Sequence, residues 1–142
     1  MTSLEKPNEP RILLVTLAIA VRWGDMDANA HVNNATYFTY MEQARIEWLN
    51  TAGMQNTAAG EGPVVVKTSC TYLKPIAYPA TLEIRVYGGA PGRTSFPTWY
   101  EIFDAADAAA KYAEGDATMV WTNRASGKSQ PVPDALRALL AT

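Results

Sequence analysis

Hydrophobic residues recur at every second position along the first predicted element of the chain. Six of them lie two positions apart: Leu13, Val15, Leu17, Ile19, Val21 and Trp23. A period of two is typical of a β-strand with one buried face. The pattern stops at Gly24, so we predict one long strand that ends there.

The hydrophobic period changes to three and four after Ala35. Asn33 or Asn34 can cap the start of a helix, and Gly53 can end it in a left-handed conformation. The apolar surface of this helix is broad, so we expect it to be covered on more than one side. Four apolar residues share one face: Tyr37, Met41, Ala44 and Trp48.

Strand-like runs separated by short turns fill the rest of the chain. Short turns favour antiparallel neighbours. Within the C-terminal segment 131–142, the run 131–140 predicts a helix capped by Asp134. A strand, a long helix and then further strands indicate an α+β fold, with an antiparallel sheet of about five strands wrapped around the central helix. The later strands are predicted at 64–74, 81–87, 94–103 and 109–123.

Composition and charge exclude several kinds of protein. The 142 residues suit a single domain, 1–142, with a loose N-terminal arm at 1–10. A net charge of −2 gives no reason to expect nucleic acid or a membrane surface as partner. One histidine and one cysteine disfavour a zinc site, and we expect no metal and no cofactor. The lone Cys70 fits a reducing compartment, so we expect a cytoplasmic protein.

Candidate chemistry is concentrated in residues 24–34, between the first strand and the helix. Asp27 lies in the turn, and the first turn of a helix has backbone N–H groups without helical partners. A carboxylate facing such donors is a minimal site for acyl transfer. Asp27 could attack a carbonyl carbon or activate water, while the N–H of Asn34 or its neighbour polarises the carbonyl, and His31 donates a hydrogen bond or steers the water.

Each of these residues also has an ordinary structural interpretation. An aspartate between a strand and a helix usually forms a turn, and a lone histidine is usually a surface residue. Asn33 and Asn34 can be simple helix caps. Residue types alone therefore leave the choice between structure and catalysis open.

The stretch GDMDANAHVNNATYFTYMEQAR, which starts at Gly24, strongly resembles the hotdog-fold acyl-CoA thioesterases related to 4-hydroxybenzoyl-CoA thioesterase. The shared features are Asp-x-Asp after a strand, a short loop, and Asn-x-x-Tyr on the long helix. Here they fall on Asp25, Asp27, Asn34 and Tyr37. The resemblance in element order covers residues 11–125 and implies a hotdog fold.

The same resemblance implies roles for individual residues. Asp27 matches the catalytic carboxylate, and Asn34 matches the position whose backbone N–H polarises the thioester. The loop is also similar to that of plant acyl carrier protein thioesterases, which implies roles for Asn29 and His31. Some relatives have Pro-Gly or Gly-Gly in this loop or lack the histidine. We expect Asp25 to hold the turn.

The resemblance further implies a homodimer or a dimer of dimers, with the substrate channel at a subunit interface. The run GRTSF at 92–96 resembles the segment that contacts the CoA arm, which makes Arg93, Thr94 and Ser95 candidate substrate-binding residues. Arginine pairs well with phosphate, although Arg93 could equally be a solvated turn residue. Lys67 and Lys74 are weaker candidates. Tyr37 could line the acyl pocket or belong to the core.

The expected function is hydrolysis of a fatty or aromatic acyl-CoA, or of an acyl group on acyl carrier protein. One alternative is a binding module that holds an acyl thioester without cleaving it. Another is a hotdog hydratase or dehydratase. Those enzymes use a histidine and an acidic residue in a different local pattern, which the sequence around His31 does not resemble.

Overall fold

A computed structural model of the protein describes residues 10–54 and 60–141. The elements within these ranges are β1 (Ile12–Ala20), a 3-10 turn (Trp23–Asp25), α1 (Thr36–Thr51), β2 (Glu61–Tyr72), β3 (Thr81–Gly88), β4 (Ser95–Asp104), β5 (Asp107–Asn123) and α2 (Asp134–Leu140). Their order confirms the predicted α+β class. Nearly all of the predicted N-terminal arm lies outside the described residues.

The five strands form one antiparallel sheet in the order β1-β3-β4-β5-β2. Consecutive strands β3, β4 and β5 are neighbours because short turns connect them. The helix separates β1 from β2 in the chain, and the two strands lie at opposite edges of the sheet. A five-stranded antiparallel sheet with one long helix confirms the predicted hotdog fold.

The buried face of α1 and alternate residues of the central strands form one hydrophobic core. Strand β3 shows the period-two rule clearly, since Leu82, Ile84 and Val86 are fully buried. The helix contributes seven buried residues, which are Tyr37, Tyr40, Met41, Ala44, Arg45, Trp48 and Leu49. Burying this surface supplies most of the helix's stability, because an isolated helix of this length is marginal in water.

A glycine permits close contact between α1 and the sheet. A Cβ atom on Gly115 of β5 would lie 2.7 Å from the Met41 sulfur and 2.6 Å from the Ser69 carbonyl oxygen. Both distances are far below van der Waals contact. Ala113 and Ala117, on the same face of β5, are also small and buried. The helix therefore lies directly on the backbone of this strand.

The edge strand β2 has an unpaired outer side, since its only neighbour among the described strands is β5. Its middle carries three exposed valines, Val64, Val65 and Val66, and Val66 is 58 % exposed. A shift in register between Val65 and Lys67 marks an irregularity at this point. An exposed apolar edge strand is a surface that proteins usually cover.

Two sequence predictions were wrong at the ends of elements. Trp23 does not continue β1 but begins the 3-10 turn, and its side chain is 77 % exposed. Asp134 does not cap α2, because the cap position is Pro133 and Asp134 is the first helical residue. An acidic residue there still interacts favourably with the helix dipole. Most of the predicted strands begin or end within three residues of the observed ones.

Candidate active site

The loop that carries Asp27 is a closed turn. The Asp27 N–H donates to the His31 carbonyl at 2.8 Å, and the Ala30 N–H donates to the Asp27 carbonyl at 3.1 Å. The Asp27 side chain accepts from the Asn29 N–H through Oδ1 at 2.8 Å. Ala30 has a φ of 60°, which only a tight turn imposes on a residue with a side chain. One carboxylate oxygen thus fixes the loop, and no described residue donates a hydrogen bond to Oδ2.

Asp25 holds the same loop from the other side. Its Oδ2 accepts from the Arg22 N–H at 2.9 Å and from the Tyr40 hydroxyl at 2.7 Å. The Asn33 N–H donates to the Asp25 carbonyl at 2.9 Å. These bonds connect the 3-10 turn to α1 and to the segment before it. The contacts agree with the structural role expected of Asp25.

The beginning of α1 leaves one backbone donor unused. Asn33 accepts from the Ala35 N–H through Oδ1 at 2.9 Å and from the Thr36 N–H through its carbonyl at 2.9 Å. The N-cap of α1 is Ala35 and no side chain caps the helix, so the prediction of Asn33 or Asn34 as the cap was wrong. Asn33 instead holds the amides of Ala35 and Thr36 in the turn that leads into the helix. No described residue accepts a hydrogen bond from the Asn34 N–H. An unpaired N–H at a helix start favours a negatively charged oxygen.

These groups meet in one pocket of about 330 Å³. The structure thus brings together all four predicted catalytic residues and one of the predicted substrate-binding residues, Tyr37. The pocket is lined by Asp27, Asn29, His31, Val32, Asn34, Tyr37, Tyr72, Leu73, Lys74 and Pro75. A second pocket of about 350 Å³ adjoins the same loop, includes Asp27, and has Trp23 and Met26 in its wall.

The other predicted substrate-binding residues are not in this pocket. Ser95 pairs with Val120 on β5, whereas Tyr72 in the pocket pairs with Ala113. Seven residues of strand separate those pairs, which is about 24 Å at roughly 3.4 Å per residue. Within one chain, Arg93 and Thr94 therefore lie at the opposite end of the sheet from Asp27.

The pocket wall opposite α1 was indicated by the sequence only in general terms. The strand predicted at 64–74 included Tyr72, but the contacts of this residue could not be read from its spacing. Its hydroxyl donates to the Asn34 carbonyl at 2.9 Å, and its ring lies edge-on to Tyr37 with centroids 4.8 Å apart. Pro75, which follows the strand, was the available signal that the chain turns there.

Burial raises the pKa values of the tyrosine hydroxyls and the cysteine thiol near the pocket. Desolvation raises the pKa of Tyr37, and the hydrogen bond with the Ile76 backbone opposes this only in part. Desolvation also raises the pKa of Tyr72, and it raises the pKa of Cys70 to about 11. The two tyrosines are therefore neutral near pH 7, where their hydroxyls can donate hydrogen bonds.

The sequence matches a known family over most of its length. Residues 21–140 match the sequence model of the Thioesterase-like superfamily. The chain belongs to this superfamily. Membership confirms the predicted resemblance and the class of thioester hydrolase. None of the described helices is long and apolar enough to cross a bilayer.

Solved structures of relatives share the fold. The PA2801 protein of Pseudomonas aeruginosa, provisionally named a thioesterase, is 44 % identical with a TM-score of 0.84, over 89 % of this chain and 98 % of that one. A protein of Xanthomonas campestris, provisionally named an acyl-CoA thioesterase, is 31 % identical with a TM-score of 0.75, over 85 % of this chain and 100 % of that one.

A curated relative matches over a shorter region. The YsmA protein of Bacillus subtilis is uncharacterized and is 30 % identical over 82 residues, which are 58 % of this chain. The match spans 56 % of the length of YsmA.

Proposed function

We propose that the protein hydrolyses acyl-CoA thioesters, with Asp27 and the backbone N–H of Asn34 as its catalytic groups. The observation that carries this proposal is their position in one pocket at the start of α1. The acyl-CoA substrate is supported by the similar Xanthomonas protein, whose provisional name specifies that activity. The proposed substrate class covers fatty and aromatic acyl groups, carried by CoA or by acyl carrier protein.

In the proposed reaction the thioester carbonyl oxygen accepts a hydrogen bond from the Asn34 N–H. Negative charge develops on that oxygen when a nucleophile adds, and a fixed donor stabilises the charged state more than the ground state. Asp27 either attacks the acyl carbon or takes a proton from an attacking water. In the water route, the C–O bond forms as Asp27 takes the water proton, the C–S bond breaks, and the Asp27 carboxyl passes that proton to the leaving thiolate. In the nucleophilic route, the C–S bond breaks as Asp27 forms an acyl anhydride. Water then hydrolyses the anhydride, which releases the acid and supplies the proton that the thiolate takes.

The remaining loop residues support this arrangement. The Asn29 N–H holds Oδ1 of Asp27, which leaves Oδ2 for chemistry. His31 lines the same pocket and fixes the loop through its carbonyl, so its ring can steer the attacking water. Tyr37, buried at the first turn of α1, supports the wall of the acyl site.

We also propose that the protein acts as a homodimer, or as a dimer of dimers, joined through the outer edge of β2. The unpaired edge and its three exposed valines support this assembly. A partner subunit could then bring Arg93, Thr94 and Ser95 to the CoA arm, which they cannot reach within their own chain. The single free cysteine supports a cytoplasmic location.

The decisive experiment measures thiol release from acyl-CoAs that differ in length and aromaticity, with acyl carrier protein substrates included. The test variant is Asp27→Asn, which keeps the size of the side chain and removes its charge. We expect kcat to fall by about 10²-fold or more, which is the scale of a positioned acid or base.

The structure offers a matched control, Asp107→Asn. Asp107 also accepts a hydrogen bond through Oδ1 from the amide two residues later, at 3.0 Å from the Ala109 N–H. Asp107 is the first residue of β5 and does not line the pocket, so the activity of the variant should equal that of wild type. A folded Asp27→Asn variant with full activity would contradict the catalytic role. Saturable acyl-CoA binding without turnover by the wild type would contradict hydrolysis itself.

A further inference from the structure

The last residue of the edge strand contacts the peptide next to the proposed oxyanion donor. Tyr72 donates its hydroxyl to the Asn34 carbonyl at 2.9 Å. The carbonyl belongs to the peptide that joins Asn34 to Ala35, and the Asn34 N–H belongs to the peptide before it. The two peptides meet at the Cα of Asn34, so once one plane is held, only φ and ψ of Asn34 can reorient the other.

The sheet holds Tyr72 firmly enough to provide such a constraint. Tyr72 pairs with Ala113 on β5, and the next two amides, of Leu73 and Lys74, both donate to the Tyr112 carbonyl at 2.9 and 3.1 Å. The ring packs edge-on against Tyr37, which is itself buried in the core. The hydroxyl therefore links a fixed strand end to the start of α1.

The two peptides of Asn34 are held by hydrogen bonds of their neighbours, to which Tyr72 adds the only bond made by Asn34 itself among the described residues. Asn33 is held by Asp25, and the amides of Ala35 and Thr36 are held by Asn33. Asn34 lies between them, and its only hydrogen bond among the described residues is the one from Tyr72. Asn34 is also exposed, so packing does little to fix its peptide planes.

We propose that Tyr72 is a positioning residue that orients the Asn34 N–H towards the thioester oxygen. A second effect follows from the sign of the charges. A carbonyl oxygen next to a developing oxyanion would repel it, and the hydroxyl bound to that carbonyl reduces the repulsion. The inference rests on the proposed function, and it assigns Tyr72 an action through Asn34 rather than on the substrate.

The test variant is Tyr72→Phe, which keeps the ring against Tyr37 and removes the hydroxyl. We expect kcat to fall by about tenfold, since a small misplacement of a catalytic group can cost up to about 10²-fold. KM should stay within about twofold, and the shape of the pH profile should not change, because the hydroxyl neither binds the substrate nor transfers a proton.

The control is Tyr87→Phe. Tyr87 is a half-buried tyrosine on β3 that donates its hydroxyl to Glu101 at 2.7 Å, away from the pocket. Removing the Tyr87 hydroxyl deletes a comparable hydrogen bond away from the pocket, so the activity of this variant should remain at the wild-type level. A Tyr72→Phe variant with unchanged kcat would overturn the inference, and so would a rise in KM alone or the loss of one limb of the pH profile.

A measurement without substrate separates this inference from the proposed function. The Tyr72→Phe change should shift the ¹³C resonance of the Asn34 carbonyl and speed exchange of the Asn34 amide, while Tyr87→Phe leaves both unchanged. If the variant fails to fold, a slowly exchanging Tyr72 hydroxyl proton in the wild type supports the bond, and a rapidly exchanging one overturns it. A wild type that shows these signals but cleaves no thioester would refute the proposed function and leave the contact established.

Discussion

The two ends of β5 face different surroundings. Near Ala113 lies the pocket, where Oδ2 of Asp27 and the N–H of Asn34 have no hydrogen-bond partners among the described residues. Near Val120 lies the segment around Arg93, whose carbonyls accept hydrogen bonds from neighbouring elements. There the Val132 N–H donates to the Arg93 carbonyl, the Trp121 N–H donates to the Thr94 carbonyl, and Arg137 donates to the carbonyls of Gly92 and Arg93.

The difference shows what one chain can supply by itself. The pocket end has a carboxylate, a backbone donor and a cavity, which are the parts that hydrolysis needs. The other end has a cation, Arg93, fixed by the packing of the C-terminal helix. If Arg93 binds the CoA phosphates, it must do so in the site of a partner subunit. Substitutions at the two ends should therefore differ in their effects on stability, kcat and KM.

The largest effect is expected for Asp25→Ala at the pocket end. The change removes the acceptor for the Arg22 amide and leaves the half-buried Tyr40 hydroxyl without a partner. Hydrogen bonds to a charged group contribute about 1.5–3 kcal/mol, so we expect the free energy of unfolding to fall by about 2 kcal/mol and kcat to fall with it. Urea denaturation and thiol release measure the two effects.

Its counterpart at the other end is Arg137→Ala, which removes the side-chain donor to the carbonyls of Gly92 and Arg93. We expect a smaller loss of stability and an unchanged kcat, because these carbonyls are exposed to water and remain solvated. Equal losses of kcat in both variants would remove the distinction between the two ends.

The next effect concerns assembly through β2. Val66→Lys places a charge on the exposed edge, and edge charges oppose strand pairing. We expect a monomer in sedimentation experiments and an activity about tenfold lower, because the Arg93 segment of a second chain is lost. Leu13→Lys is the control, since Leu13 is 53 % exposed on the opposite edge strand, β1. A Val66→Lys dimer with full activity would argue against assembly at this edge.

A smaller effect is expected for Arg93→Ala. If the guanidinium binds phosphate from across a dimer interface, KM for acyl-CoA should rise about fivefold while kcat stays the same, because such contacts are formed equally in the ground and transition states. Lys74→Ala provides the comparison, since Lys74 lines the pocket of its own chain. A rise in KM for Lys74→Ala alone would place the phosphates at the pocket end.

The smallest effect is a loss of stability at high pH. Burial raises the pKa of the Cys70 thiol to about 11, from a usual value near 9. The folded state therefore keeps the proton more strongly than the unfolded state, and the resulting stability is complete below about pH 9 and is lost as the pH rises through 11. The Cys70→Ala variant should show a shallower decline in thermal midpoint over this range, and an identical decline would exclude the thiol as a cause.

The sequence predicted the regular parts of the molecule well because each has a simple periodic signal. Leu82, Ile84 and Val86 alternate as a half-buried strand must, and Gly53 ends α1 with a φ of 74°. The local pattern made Asp27 and Asn34 candidates, and the family resemblance implied their catalytic roles, which stay a prediction. Their proximity in one pocket follows from the short chain between them.

The failures share a different physical cause. Trp23 continues the alternation of β1 in the sequence, but the bond between Asp25 and the Arg22 amide bends the chain away from the strand. The position of Arg93 relative to Asp27 depends on the tertiary packing of distant elements and on assembly. The Tyr72 contact joins residues 38 positions apart, and no local pattern encodes it.

Gly115 has a consequence for substrate selection. Asn34 and Tyr37 move with α1, whereas Tyr72 and Pro75 belong to the sheet and the segment after it. A methyl group at position 115 would meet the Ser69 carbonyl and the Met41 side chain, so the helix and β2 would have to separate. Gly115→Ala should therefore widen the pocket between the start of α1, with Asn34 and Tyr37, and the sheet side, with Tyr72 and Pro75. A wider pocket should favour bulkier acyl groups. The size limit of the enzyme would then be adjustable from a position that never touches the substrate.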